Sequence, residues 1–149
     1  MKDMTPEEIM TVLKKEKEGV LAFTDGEKPY AIPIGHVCVN EMVYFSIFAK
    51  GRKWELYQKN PRVCFTVFGW NGDRTGWRSA MVEGQMTPVS DFQEIEAVVR
   101  ANIVKSNRDP EEHLKKRMQY YIDNEANPKA VKVFKIEPTG TGGRKSSHS

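Results

Sequence analysis

Short apolar runs separated by tight turns constrain this chain more than any other feature. Val20–Thr24 is closed by Asp25-Gly26, a dipeptide suited to a two-residue hairpin. The extended stretch Pro29–Val39 is closed by Asn40-Glu41, which leads into Met42–Phe48. Connections this short cannot carry a parallel crossover, so the strands pair antiparallel. Further runs at Arg62–Gly69, Trp77–Pro88 and Ala130–Ile136 bring the expected count to six. Proline cannot donate to a ladder, so Pro33 puts its strand at an edge or at a bend, and Gly84 marks a bulge or a close approach. In Met42–Phe48 both alternating sets of side chains are largely apolar or aromatic, so both faces are expected to be covered. The expected architecture is mainly β, with the sheet closed into a small barrel, because closure removes exposed edges.

Helices flank these strands. Thr5-Pro6-Glu7-Glu8 supplies a cap hydroxyl, a proline at the first helical position and a glutamate three residues after the cap. Lys50–Asn60 reads as a short helix ended before Pro61. After Ser90, read as a second cap with Gln93, an apolar stripe of helical period runs through Phe92, Ile95, Val98, Val99 and Ile103. Asp109-Pro110-Glu111-Glu112 opens a last helix, which reaches about Glu125. Residues 139–149 have few apolar groups and read as a flexible tail after one domain spanning 1–138.

Composition narrows the classes of function. The chain has 23 Lys and Arg against 20 Asp and Glu over 149 residues, evenly distributed, which disfavours a binder of duplex nucleic acid. No run approaches the roughly 20 apolar residues of a membrane span, and Met1–Glu8 is charged, so a soluble, cytoplasmic protein is expected. Cys38 and Cys64 sit in apolar runs as small buried hydrophobes. His36, His113 and His148 lie too far apart for metal-ligand spacing, and no metal site is expected. Cys38 follows His36 by two residues, the same side of an ideal strand, but no third group is placed to orient such a pair. No catalytic acid or base stands out.

Lys50-Gly51-Arg52-Lys53 is the segment that carries chemistry. A strand containing Ser46 ends just before it, so a hydroxyl, a glycine, several cations and the free amides of a helix start converge. That combination suits a phosphate monoester, although an ordinary exposed basic turn fits the spacing equally. Pro33, Phe48, Trp54, Trp70 and Trp77 are expected near the ends of neighbouring strands. Together with the cradle they describe an apolar cleft for a planar phosphorylated cofactor.

These blocks resemble the FMN-binding split barrels similar to pyridoxamine 5′-phosphate oxidase. Pro29-Tyr30-Ala31-Ile32-Pro33-Ile34, Val43-Tyr44-Phe45-Ser46, Gly51-Arg52-Lys53, Asn60-Pro61-Arg62-Val63-Cys64-Phe65 and Trp77-Arg78-Ser79-Ala80-Met81-Val82-Glu83-Gly84 follow in the family's order, over about residues 5–137. The resemblance implies a six-stranded antiparallel split barrel with FMN as cofactor. It assigns the phosphate to Ser46, Arg52 and Lys53 with Gly51 admitting it, the ring to Ile32, Pro33 and Ile34, and the polar edge or ribityl chain to Arg78 or Ser79. It also implies a homodimer with the flavins at the interface.

The departures are specific. Tyr30 and Gly35 stand where the oxidase has arginine and lysine, and its C-terminal substrate-binding segment has no counterpart. Pyridoxamine phosphate oxidation is therefore not expected. The short subgroup with the nitroimidazole-resistance proteins is closer, but it carries a histidine where this chain has Ser46. The resemblance implies an oxidoreductase acting on a small-molecule acceptor, with the flavin taking hydride at N5 and Arg78 steadying the reduced ring. Rival readings are a flavin- or haem-binding sensor without turnover, a deazaflavin-dependent reductase, and a single-stranded nucleic-acid binder using Trp70, Arg74, Trp77 and Arg78.

Overall fold

The computed structural model describes residues 1–147. In chain order its first half holds β1 (Lys2–Asp3), α1 (Pro6–Lys15), β2 (Glu18–Thr24), β3 (Pro29–Gly35), β4 (Val37–Val39), β5 (Met42–Phe48) and α2 (Gly51–Lys59). The second half holds β6 (Arg62–Trp70), β7 (Trp77–Pro88), α3 (Phe92–Lys105), α4 (Pro110–Asp123) and β8 (Val131–Lys145). All the pairings are antiparallel.

Topology forces the sheet to curl. β3 and β4 are joined by His36 alone, yet they stand at opposite ends of the path β3-β2-β6-β7-β8-β5-β4. The two ends can adjoin only if the sheet wraps round on itself, which makes the mainly β, half-closed barrel that the sequence implies. Among the described residues no ladder joins β3 to β5, so the barrel is split there. Pro33 sits on β3, the edge strand.

Alternation along each strand fills the barrel. Leu21, Phe45, Phe65, Val67 and Phe134 turn inward with 0–1% of their surface exposed. Burying each such side chain contributes about 1.5–3 kcal/mol. Ile9, Val12 and Leu13 of α1 close one part of this core, and Leu56, Trp54 and Tyr57 bring α2 against it. A second core lies outside the barrel, where Val37, Tyr44 and Val133 meet Ile95, Val98, Val99 and Ile103 of α3. Tyr44 donates to the Glu94 carboxylate, which also holds the Lys135 ammonium at 3.1 Å, fixing the start of α3 on β5 and β8. Burial and that carboxylate push the Tyr44 hydroxyl up to about 12.

Four expectations are corrected. Among the described residues the sheet has eight strands, because the short β1 is added and the stretch Pro29–Val39 breaks at His36 into β3 and β4. The cap of α3 is Asp91, whose carboxylate accepts from the amides of Gln93 and Glu94, not Ser90. Residues 139–145 are not a flexible tail: β8 continues through them, paired with β7 as far as Arg78–Lys145 and with β1 at Asp3–Arg144. Gly143 is the close-packed position of that segment. A Cβ there would fall 2.6 Å from Met4 Cε and 2.7 Å from Ile9 Cγ1, so any side chain at this position would have to displace Met4 and Ile9. The fourth correction concerns the aromatic cluster, which divides in two. Trp54 packs on Tyr57 and Phe134 in the core, whereas Phe68, Trp70 and Trp77 meet on β6 and β7. The bulge does fall at Gly84, where a Cβ would collide with the Glu137 carbonyl.

Candidate functional site

Helix starts leave backbone N–H groups without intrahelical partners, and this chain handles its helices differently. α1, α3 and α4 begin on Thr5, Asp91 and Asp109, each accepting from amides of its own first turn. α2 begins on Lys50, which makes no side-chain cap, and no acid stands in its first turn. Gly51 there has φ +81°, a left-handed conformation suited to glycine. The result is a set of free amides beside Lys50, Arg52 and Lys53. None of these three cations has an ion pair among the described residues.

Ring contacts anchor the cradle to the barrel. The Arg52 guanidinium lies 4.6 Å over the Tyr30 ring on β3, and the Lys50 ammonium lies 4.8 Å over Phe48 at the end of β5. Such cation–π contacts orient a side chain while leaving its N–H donors available. From Tyr30 the free edge of β3 runs through Ile32 and Ile34, which face the barrel core, while Pro33 turns to the outer face. A cationic helix start therefore opens onto an apolar strand edge. Those groups fit a phosphate joined to a planar ring.

Ser46 lies on the outer side of β5, with its Oγ 3.4 Å from the Tyr121 hydroxyl of α4. Both line a hollow of about 450 Å³ between the end of β3, β5 and the α3–α4 pair, with Ile34, Lys105 and Arg117 among its other walls. Sequence reasoning missed Lys105, Arg117 and Tyr121. The only sequence signal was the basic run Lys115-Lys116-Arg117, which reads equally as a solvated helix face.

Arg78 and Ser79 lie elsewhere in the chain. Arg78 on β7 reaches the Glu8 carboxylate of α1 at 3.7 Å and lines a separate hollow of about 370 Å³ with Lys15, Glu16 and Trp70. Ser79 pairs with Phe68. The chain thus gathers Ile34 with Ser46, and Arg52 with the β3 edge, and places Arg78 and Ser79 away from both, on β7. Arg74 stacks 4.9 Å over Trp70 in a small exposed aromatic group.

The histidine and cysteine candidates are structural. The His36 ring is buried, packs edge-on against Phe65 and places Nε2 2.7 Å from the Leu13 carbonyl. Burial pulls its pKa down, which favours the neutral ring. Burial also pushes the Cys38 thiol up to about 11, away from the thiolate that nucleophilic chemistry requires. His113 lies beside Glu112 on α4, and His148 lies outside the described residues. Among the described residues no helix is long and apolar enough to cross a membrane.

Comparison with solved structures shows the same fold over nearly the whole chain. An FAD-binding protein from Mesorhizobium loti aligns with TM-score 0.66 and 23% identity, covering 98% of both chains. The FAD-binding protein of Mycobacterium smegmatis aligns with TM-score 0.68 and 19% identity, over 97% of this chain and 99% of that one. A candidate 5-nitroimidazole antibiotic resistance protein from Bacteroides thetaiotaomicron gives TM-score 0.71 and 18% identity, over 97% and 86%. No curated protein matches. The model of the pyridoxamine 5′-phosphate oxidase family matches residues 5–145, which takes in the β3 edge, the start of α2 and the whole of β8, and the chain belongs to that family.

Proposed function

We propose that the protein binds FMN along the free edge of β3 and works as a flavin-dependent oxidoreductase on a small-molecule acceptor. The observation that carries this reading is the start of α2. Its amides are uncapped, its cations have no acidic partner, and Arg52 is stacked on the strand that would lie along the ring. The amides and the cations favour a phosphate dianion. Arg52, Lys53 and Gly51 would hold that phosphate, and Ile32 and Ile34 would line the ring. The solved relatives named for FAD support a flavin of either length. A single helix start, suited to one terminal phosphate, favours FMN.

A second copy of the chain completes the site in this proposal. On the outer face of β3, β2 and β6, Pro33, Val20 and Thr66 stand in register, followed by Phe68 and Trp70. Val20 is 39% exposed, Phe68 53% and Trp70 41%. An apolar sheet face left open in this way suits association with its own copy. Ser79 faces outward on that side beside Phe68, so a partner's flavin would come within reach of β7. When bound, the flavin supplies the electron transfer, and the protein supplies binding and electrostatics.

Titration of the purified chain with FMN, FAD and riboflavin, followed by the flavin absorbance bands, tests the cofactor assignment. FMN is expected to bind at least tenfold tighter than riboflavin, reflecting its phosphate. A chain that takes up none of the three refutes the reading. Reduction of the bound flavin by NADH or NADPH in a stopped-flow instrument then tests for turnover.

A further inference from the structure

We propose that the hollow beneath α3 and α4 is the substrate pocket, and that it takes a small molecule whose carboxylate or phosphate monoester lies on Arg117. The inference rests on the flavin reading only for the word substrate, because the hollow shares Ile34 with the strand edge assigned to the ring.

The electrostatics of the walls carry the argument. Among the described residues, two basic side chains, Lys105 and Arg117, line the hollow, and no aspartate or glutamate does. The Lys105 ammonium is already fixed, donating to the carbonyls of Lys17 at 2.6 Å and His36 at 2.8 Å. Glu18 acts on it only at a distance. Arg117 is different: among the described residues its guanidinium has no ion pair and no hydrogen bond. Its neighbour Lys115 faces the opposite groove between the helices. A half-buried guanidinium with all five donors available, beside a fixed ammonium, is matched by a planar or tetrahedral oxyanion. The hydroxyls of Ser46 and Tyr121, 3.4 Å apart, stand on the same walls as further donors. A neutral substrate would leave this positive potential without a counterpart, so the hollow selects for charge.

Calorimetric titration of the full chain, with and without FMN, tests the pocket. Benzoate and phenyl phosphate serve as the two anionic probes, and benzamide as the neutral counterpart. At least one anion is expected to bind about tenfold tighter than benzamide, and the anion that binds tells carboxylate from phosphate. Arg117→Gln should remove that preference while leaving FMN affinity within about twofold, and Arg117→Lys should restore part of it. Tyr121→Phe, which removes only a hydroxyl, should weaken the anion without altering the thermal midpoint, and this guards against a folding defect in the Arg117 variant. The proposal is overturned if neither anion outbinds benzamide, or if Arg117→Gln leaves the anion unaffected. It is equally overturned if Arg117→Gln weakens FMN tenfold, since Arg117 would then belong to the cofactor. Arg117-dependent anion binding in a chain that takes no FMN would uphold the pocket and remove the flavin reading. FMN binding without anion binding would do the reverse.

Discussion

α1 and α2 solve the same physical problem in opposite ways. At the start of α1, Thr5 accepts from the Glu8 amide while the Glu8 carboxylate accepts from the Thr5 amide. The other oxygen of Glu8 is taken up by Lys145 and Arg78. Both oxygens of the Glu8 carboxylate and the Thr5 and Glu8 amides are answered from within the chain, and the group ties α1 to β7 and β8. The start of α2 differs: the cap is missing, the first turn has no acid, and among the described residues Lys50, Arg52 and Lys53 have no acidic partner, Lys50 and Arg52 meeting only aromatic rings. The capping box at residue 5 and the uncapped start at residue 50 are the contrast on which the proposed flavin site rests.

The largest break in that contrast comes from below α2. Trp54 and Tyr57 hold α2 to the barrel through Phe134, with ring centroids 6.0 and 5.3 Å away. Phe134→Ala should cost about 3–5 kcal/mol of stability, read by denaturant unfolding, because it empties the core beneath the cradle. FMN affinity should fall with it in this variant. An unchanged affinity would separate the cradle from its seat.

Removing the cations instead should leave the fold intact, since Arg52 and Lys53 have no ion pair among the described residues. The double variant Arg52→Ala with Lys53→Ala should weaken FMN by about a hundredfold, and riboflavin by less than threefold, because only FMN presents a phosphate to these groups. Equal losses for the two flavins would move the phosphate away from α2.

Smaller changes can exchange the roles of the two helices. Thr5→Ala should lower stability by about 1 kcal/mol, the usual worth of a cap, with flavin binding unchanged. Lys50→Asp should do the opposite. It supplies the missing cap and raises stability by about 0.5–1 kcal/mol, while its carboxylate competes with a phosphate for the same amides and weakens FMN. A variant that gains stability without losing FMN would show that the open helix start has no role in binding.

How much of this could be read from the sequence follows the range of the interactions. Alternation and turn chemistry are local, so β2, β5, β6, β7 and the capping box of α1 are legible in the residues themselves. The cap of α3 slipped by one because Ser90 and Asp91 are both good caps and only the backbone path decides between them. The end of β8 was not legible. Thr139–Lys145 lacks the apolar pattern of a strand, and what holds it there is the ladder to β7 and the fit of Gly143 under Met4 and Ile9. The cradle at Gly51, Arg52 and Lys53 is contiguous and could be found in the sequence. The hollow around Ser46 could not, because Lys105 and Arg117 reach it from helices 59 and 71 positions further along the chain.

Acid titration offers the finest comparison between the two helix starts. Lys145, with the Thr5 amide and Arg78 behind it, holds the Glu8 carboxyl down from its ordinary 4.5 to about 2. As pH falls below 4.5 the unfolded chain takes up this proton first, since the folded state resists it until about pH 2. The contribution is therefore fully present above pH 4.5 and is lost progressively between 4.5 and 2. Glu8→Gln should flatten that part of the stability profile, as measured by urea midpoints at successive pH values, while leaving the profile above pH 5 unchanged in shape. The first turn of α2 has no carboxylate to titrate, so the same series on the Lys50→Asp variant should introduce an acid slope that the natural α2 lacks. If Glu8→Gln left the acid limb as steep as before, α1 would not be the self-contained end that its hydrogen bonds describe, and the contrast with α2 would rest on the missing cap alone.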